Sequence, residues 1–312
     1  MVKESLREAY ARALISLGEK DERVVVLDAD LSTSTKTAKF GEKFPDRFFN
    51  IGVSEQNMMG VASGLALSGK IVFASSFAVF ASGRAWDQVR QSICYNKVNV
   101  KIVATHGGIT VGEDGATHQS NEDIALMRVL PNMRVIVPAD AIETEQVIKR
   151  VYEEEGPFYV RLSRENFPLI YKDRNYNFEL GKYDVLREGK DGVIFTIGRE
   201  VYESLLAAEE LEKDGISLTV VNGSSVKPLD KELIYKYAKK FGKLIVVEEH
   251  QKTAGFGSAI AEFITEEIPV IVKKIGVDNI FGISGKASDL LKYFKLDSEG
   301  IYNTIKEWYK NK

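Results

Sequence analysis

The stretch VVVLDADLSTS, residues 24–34, joins an apolar run to a cluster of small polar groups. Residues 24–27 are β-branched or aliphatic without interruption, which suits a strand covered on both faces. Asp28, Ala29 and Asp30 end that strand. Ser32, Thr33 and Ser34 then place hydroxyls at its carboxyl end, where open α/β sheets bind their ligands. Just before it, residues 5–17 repeat apolar side chains at helical spacing through Leu6, Ala9, Tyr10, Ala13, Leu14 and Leu17.

The same alternation runs onward. Strands are predicted at 48–51, 71–74, 100–104, 134–137 and 158–162, with helices at 55–66, 85–95, 121–128 and 141–154. Periodicity fades between 165 and 191, a polar, charged and aromatic stretch that reads as a connection with room for a short strand. A second alternating unit follows, with strands at 193–197, 217–221, 244–247 and 270–275. Its helices are predicted at 202–213, 229–240, 257–265 and 302–309. Strands alternating with helical crossovers imply α/β architecture: two domains, each a mostly parallel sheet flanked by helices. Residues 1–170 form the first domain, 171–190 the linker and 191–312 the second.

The chain has 312 residues, more than one α/β domain of roughly 150 residues usually needs. Its 42 basic and 45 acidic residues leave a formal charge of -3, so no basic field marks it for nucleic acid. The single cysteine, Cys94, excludes an intrachain disulfide framework and favours a reduced compartment. Neither a leader pattern nor an apolar run of membrane-spanning length is present in the sequence, so a cytoplasmic protein without membrane attachment is expected.

Chemistry concentrates in THGGITVGEDGATHQ, residues 105–119, where two of three histidines and Glu113 and Asp114 sit among four glycines. Glycines at 107, 108, 112 and 115 allow positive φ or close approach to a ligand. His106 and His118 can donate, accept or move a proton near neutral pH, and Asp114 can fix a hydroxyl. Zinc is the alternative ligand, but no HExxH helix or cysteine cluster accompanies the pair, and no metal is assigned to this chain. Glu55 opens a predicted helix, where a carboxylate gains from the helix dipole yet needs a partner if buried. Phe77 and Phe80 offer ring faces beside small residues, as core packing or as a stack for a flat heterocycle. Arg7, Arg161 and Arg164 have donor forks that fit phosphate, or form surface ion pairs.

Taken together, several segments resemble the transketolase family of thiamine diphosphate enzymes. They are DADLS at 28–32, GVSEQNM at 52–58, SFAVFASGRAWDQVRQS at 76–92, THGGITVGEDGATHQ at 105–119 and EDIALMRVLPNMRVIVPAD at 122–140. LSREN at 162–166, VKPLD at 226–230 and VVEEHQKTAGFGSAI at 246–260 extend the match. The resemblance covers a pyrimidine-binding domain and the transketolase carboxyl-terminal domain. It implies that Glu55 activates the cofactor's aminopyrimidine ring, Phe80 stacks on it, Phe77 lines the pocket and Asp30 supports the cofactor. His106 and His118 would contact the donor sugar and assist proton transfers, with Asp114 recognising a donor hydroxyl. Arg7, Ser34 and Arg164 match the family's sugar-phosphate ligands. A pocket tyrosine common in full-length members is Gly83 here.

The family's diphosphate and Mg²⁺ are held by a further domain bearing a GDG segment, which does not occur in these residues. The expectation is therefore a chain inactive alone, paired with a separate amino-terminal subunit that holds most of the Mg²⁺ site, in an α2β2 assembly that includes self-association of this chain. The implied reaction moves a two-carbon ketol unit from a ketose phosphate to an aldose phosphate. 1-Deoxyxylulose-5-phosphate synthase, the beta subunit of 2-oxoacid dehydrogenases and a noncatalytic partner-binding homologue are the alternatives.

Overall fold

A computed structural model describes residues 2–173 and 176–310. Residues 174 and 175 of the expected linker, and residues 1, 311 and 312 of the expected domains, lie outside the described residues. Seven strands among the described residues form one sheet, in the order Ser225–Lys227, Arg134–Ile136, Phe158–Arg161, Val100–Thr105, Ile71–Phe77, Val24–Asp28, Phe48–Asn50. All neighbours run parallel except the edge strand Ser225–Lys227. Val24–Asp28 and Ile71–Phe77 are buried at every position, as a strand covered on both faces must be. On one face Val24, Val26, Phe73 and Val103 pack against helices Leu6–Lys20 and Ala141–Glu153. On the other, Val25, Leu27, Val72 and Ile102 meet helix Glu55–Leu67 through Met58, Met59 and Ala62.

The second sheet orders Ile271–Val277, Lys243–Gln251, Gly192–Thr196, Leu218–Asn222, Asp184–Arg187, again parallel except for the last edge strand. Helices Lys231–Phe241 and Phe256–Glu267 cover one face, and Glu200–Lys213 and Ser298–Lys310 the other. The fold is thus two α/β domains, each a largely parallel sheet between helices. Among the described residues, no helix is long and apolar enough to cross a membrane. Cys94 is buried, and burial pushes its thiol up to about 12, which makes it a packing group at neutral pH.

Four features depart from the sequence reading. Ser225–Lys227 follows the linker in sequence, yet it pairs with Arg134–Ile136 and extends the first sheet. Short strands Lys3–Ser5 and Asn166–Pro168 pair antiparallel, tying the chain's early residues to the segment just before the expected linker. Helical turns at Ser32–Thr35 and Ala38–Lys43 occupy a stretch rich in Ser, Thr and Lys that carries no apolar period. The helix predicted at 85–95 begins earlier and is wound in π turns over Phe80–Arg84 and Val89–Cys94.

Candidate active site

Two strand ends and a helix start converge on the site. Ile71–Phe77 delivers Phe77, 7% exposed, and the π turn after it carries Phe80 and Arg84. π turns widen the helix by one residue and recur at functional sites, where they re-aim side chains. Helix Glu55–Leu67 places Glu55 in its first turn, 1% exposed. A carboxylate that deep needs a donor, and Arg84 Nη1 supplies one to Glu55 Oε2 at 2.9 Å. The same guanidinium lies over the Phe80 ring, 4.7 Å from its centroid. Between Phe80 and Glu55 there is therefore a slot already filled by a flat group that bears N–H donors. Beside it, a Cβ added at Gly83 would meet no atom within 4 Å.

Strand Val100–Thr105 opens the glycine loop. His106 has φ +61°, in the left-handed region that costs a non-glycine residue strain, and its ring stacks on Phe77 with centroids 3.7 Å apart. Thr105 Oγ1 and His106 Nδ1 share a hydrogen bond of 2.8 Å. Burial, then the charges of Arg7 and Arg164, push the His106 pKa down to about 3, so the imidazole is neutral at physiological pH. His118 is half-buried and presents its edge to Phe80 at 5.4 Å and to Phe77 at 6.3 Å. Phe77, Phe80, His106 and His118 thus form one ring cluster with Glu55 and Arg84 at its border.

On the far side of His106 lie the cations. Arg7 donates to the Ser34 carbonyl and to the Arg164 carbonyl, both at 2.8 Å, while its Nε is buried without a hydrogen-bond partner. Arg164 donates to the Val111 carbonyl at 2.6 Å and pairs with Asp114 at 3.4 Å. Burial and the neighbouring Arg164 charge lower the Arg7 pKa, outweighing the opposing pull of Glu165 and Glu8. A cleft of about 330 Å³ runs from Arg164 past Glu113 to Lys286 and Ser288 of the second domain.

Two candidates sit elsewhere. Asp30 is exposed and bonded to Asn50 on the rim, whereas the buried carboxylate of its segment is Asp28, which accepts from Thr35 and Thr37 hydroxyls and Leu31 N–H. Arg161 is unavailable to a phosphate, because it is buried against Asp123 at 2.8 Å and donates to the carbonyls of Ser120 and Glu249. Sequence reading missed Arg84, inside a quoted motif but assigned nothing, and Glu249, which accepts from Thr110 N–H at 2.7 Å across 139 residues of chain. Among the described residues, no group of three or more His, Cys, Asp or Glu side chains could hold a metal ion.

Comparison with known proteins adds to this geometry. Residues 3–169 match the family "Transketolase, pyrimidine binding domain" and residues 181–301 match "Transketolase, C-terminal domain". The chain is 51% identical over 308 residues to a putative transketolase C-terminal section of Methanocaldococcus jannaschii, covering 98% of this chain and 96% of that protein. It is 41% identical to a 6-deoxy-6-sulfo-D-fructose transketolase subunit of a Clostridium species, covering 97% and 94%. A solved split-gene transketolase, described as an inactive beta4 tetramer, superposes with a TM-score of 0.90 at 48% identity, over 97% of this chain and 98% of that one.

Proposed function

The chain belongs to the transketolase family, and from that premise we propose that it is the carboxyl-terminal subunit of a split transketolase. In this reading it moves a two-carbon ketol unit from a ketose phosphate to an aldose phosphate, with thiamine diphosphate bound jointly with a separate amino-terminal subunit. The observation that carries the proposal is the gap between Glu55 and Phe80, spanned by Arg84 and joined through the ring cluster to a neutral histidine near two arginines. The Arg84 guanidinium, flat and bearing N–H donors, lies against both groups in this chain. An aminopyrimidine has the same attributes. Thiamine diphosphate supplies, when bound, a nucleophilic carbon that amino-acid side chains do not offer.

The rest falls to this chain's own residues. Glu55, held rigid at a helix start, accepts a ring N–H and exchanges a proton with it. Phe80 provides the stacking face and Phe77 the wall behind His106. His106, neutral and strained into place, binds donor oxygens without adding charge, and His118 passes protons at the sugar hydroxyls. Arg7, Ser34 and Arg164 take the sugar phosphate, with the buried Arg7 Nε as an unused donor, and Asp114 reads a hydroxyl while orienting Arg164. Asp30 contributes from the rim. Mg²⁺ and the diphosphate are assigned to the amino-terminal subunit, in an α2β2 assembly within the cytoplasm. The split-gene relative described as an inactive tetramer is consistent with a chain that needs such a partner.

The test is ketol transfer from xylulose 5-phosphate to ribose 5-phosphate with thiamine diphosphate and Mg²⁺, with and without the amino-terminal subunit. Turnover is expected only in the mixture, and Glu55→Gln is expected to abolish most of it while the complex still forms. A stable complex with bound cofactor and no transfer would overturn the substrate assignment, and pyruvate is then the next donor to try, its decarboxylation favouring the synthase reading.

A further inference from the structure

The glycine loop belongs to the first domain, but the second domain holds it. Thr110 N–H donates to Glu249 Oε1 at 2.7 Å. Gly108, at φ +88°, approaches so closely that a Cβ there would lie 2.3 Å from the Glu249 carboxyl carbon. Glu249 stands in strand Lys243–Gln251 and is 3% exposed. Its carbonyl accepts from Arg161 Nη2 at 2.9 Å, and that guanidinium also reaches the Ser120 carbonyl at 3.2 Å, where the loop ends. Second-domain contacts continue along the loop, with Gln119 Nε2 donating to Ile283 O and Ser284 Oγ to Glu113 O.

Packing alone does not account for a glutamate here. Its Oε2 is buried without a hydrogen-bond partner, and burial raises its pKa against the opposing pull of Arg161 and the Thr110 N–H. An apolar side chain of similar volume would fill the space without that desolvation cost. Besides a charge facing Arg161 and Arg199, the carboxyl group supplies an acceptor for the Thr110 amide, four residues after the strained His106 φ and two after Gly108. We infer that Glu249 is a positioning residue for the donor sugar: it fixes the backbone from His106 to Asp114, so the imidazole and the Asp114–Arg164 pair meet substrate in one geometry. Glu249 itself touches neither substrate nor cofactor. The role in catalysis rests on the proposed function, whereas the ordering of the loop is a property of this chain.

Two measurements test it separately. By hydrogen exchange on the chain alone, Glu249→Ala speeds exchange of the Thr110 amide by about tenfold or more, with strand Ile71–Phe77 unchanged, and Glu249→Gln, which keeps the acceptor, restores protection. In the complex with the amino-terminal subunit, Glu249→Ala raises KM for the phosphorylated donor by about tenfold or more and leaves the spectroscopic signature of bound cofactor intact, and Glu249→Gln recovers it. Unchanged exchange at Thr110, a loss confined to kcat, or failure of the glutamine to rescue would each overturn the inference. Should Glu249→Ala not fold, Gly108→Ala presses the same carboxyl from the loop side and produces the same two effects; a Gly108→Ala chain with normal exchange and KM overturns it equally. Absence of any ketol transfer by the unmodified complex would defeat the proposed function, and the exchange result would still decide the role of Glu249.

Discussion

Arg84 shows what single residues decide in this site. Its guanidinium satisfies a buried carboxylate and covers the Phe80 face, so any flat ligand entering the slot must displace it. The equilibrium between filled and open slot then weakens apparent ligand affinity by the open fraction. Arg84→Met keeps a stem of similar length but has neither the donors nor the plane. We expect it to lower the thiamine diphosphate concentration for half-saturation of the assembled enzyme by about three- to tenfold, read by a cofactor titration of the complex. Equal or weaker binding would mean that Arg84 stays in place when cofactor binds. Glu55, His106 and His118 stood out as candidates in the sequence because each lies in a segment that carries the family resemblance. Arg84 and Glu249 did not, since an arginine or glutamate gains its meaning here from a partner far away in the chain.

At the scale of elements, the parallel strands were legible because burial on both faces leaves continuous β-branched runs such as Val24–Asp28 and Val100–Thr105. Turns at Ser32–Thr35 and the strand Lys3–Ser5 were not, because elements of three or four residues are too short to repeat a hydrophobic period. Capping explains how one such end is fixed. Asp140 caps helix Ala141–Glu153 by accepting from Glu143 N–H at 2.8 Å, and its other oxygen accepts from Ile170 and Tyr171 N–H at 2.7 and 2.9 Å. One buried side chain thus ties a helix start to the connection between domains. Asp140→Ala removes a cap and strands further donors, so we expect a loss of about 2–4 kcal/mol in urea unfolding, with Asp140→Asn losing less. A change below about 0.5 kcal/mol, the level of an ordinary surface substitution, would show that water replaces the carboxylate.

At the scale of the whole molecule, the two domains are joined by polar groups as well as by core. Asn222 of the second domain donates to both oxygens of Glu143 at 3.0 Å, while the Tyr171 hydroxyl links Asn222 at 2.9 Å to Asp184 at 2.6 Å. The linear division into domains did not reveal this junction, nor the strand Ser225–Lys227 that the second half lends to the first sheet, because both depend on residues about 50 to 90 positions apart meeting in space. Burial, opposed by the Ala139 N–H, raises the Glu143 pKa from 4.5 to about 8, with Asp140 pushing in the same direction as burial. The sign of the pH effect follows. Between 4.5 and about 8 the folded chain keeps the Glu143 proton that the unfolded chain has already released, so this group's contribution to stability is full below 4.5 and is lost as pH rises toward 8. Glu143→Gln retains the neutral shape and removes the titration. Urea unfolding at several pH values should therefore show the unmodified chain losing stability from pH 5 to 8 more steeply than Glu143→Gln, with the two curves converging at the acid end. Parallel curves would place the Glu143 proton loss below pH 5, leave the junction ionised at neutral pH, and require Asn222 and the helix start to carry a buried negative charge between the domains.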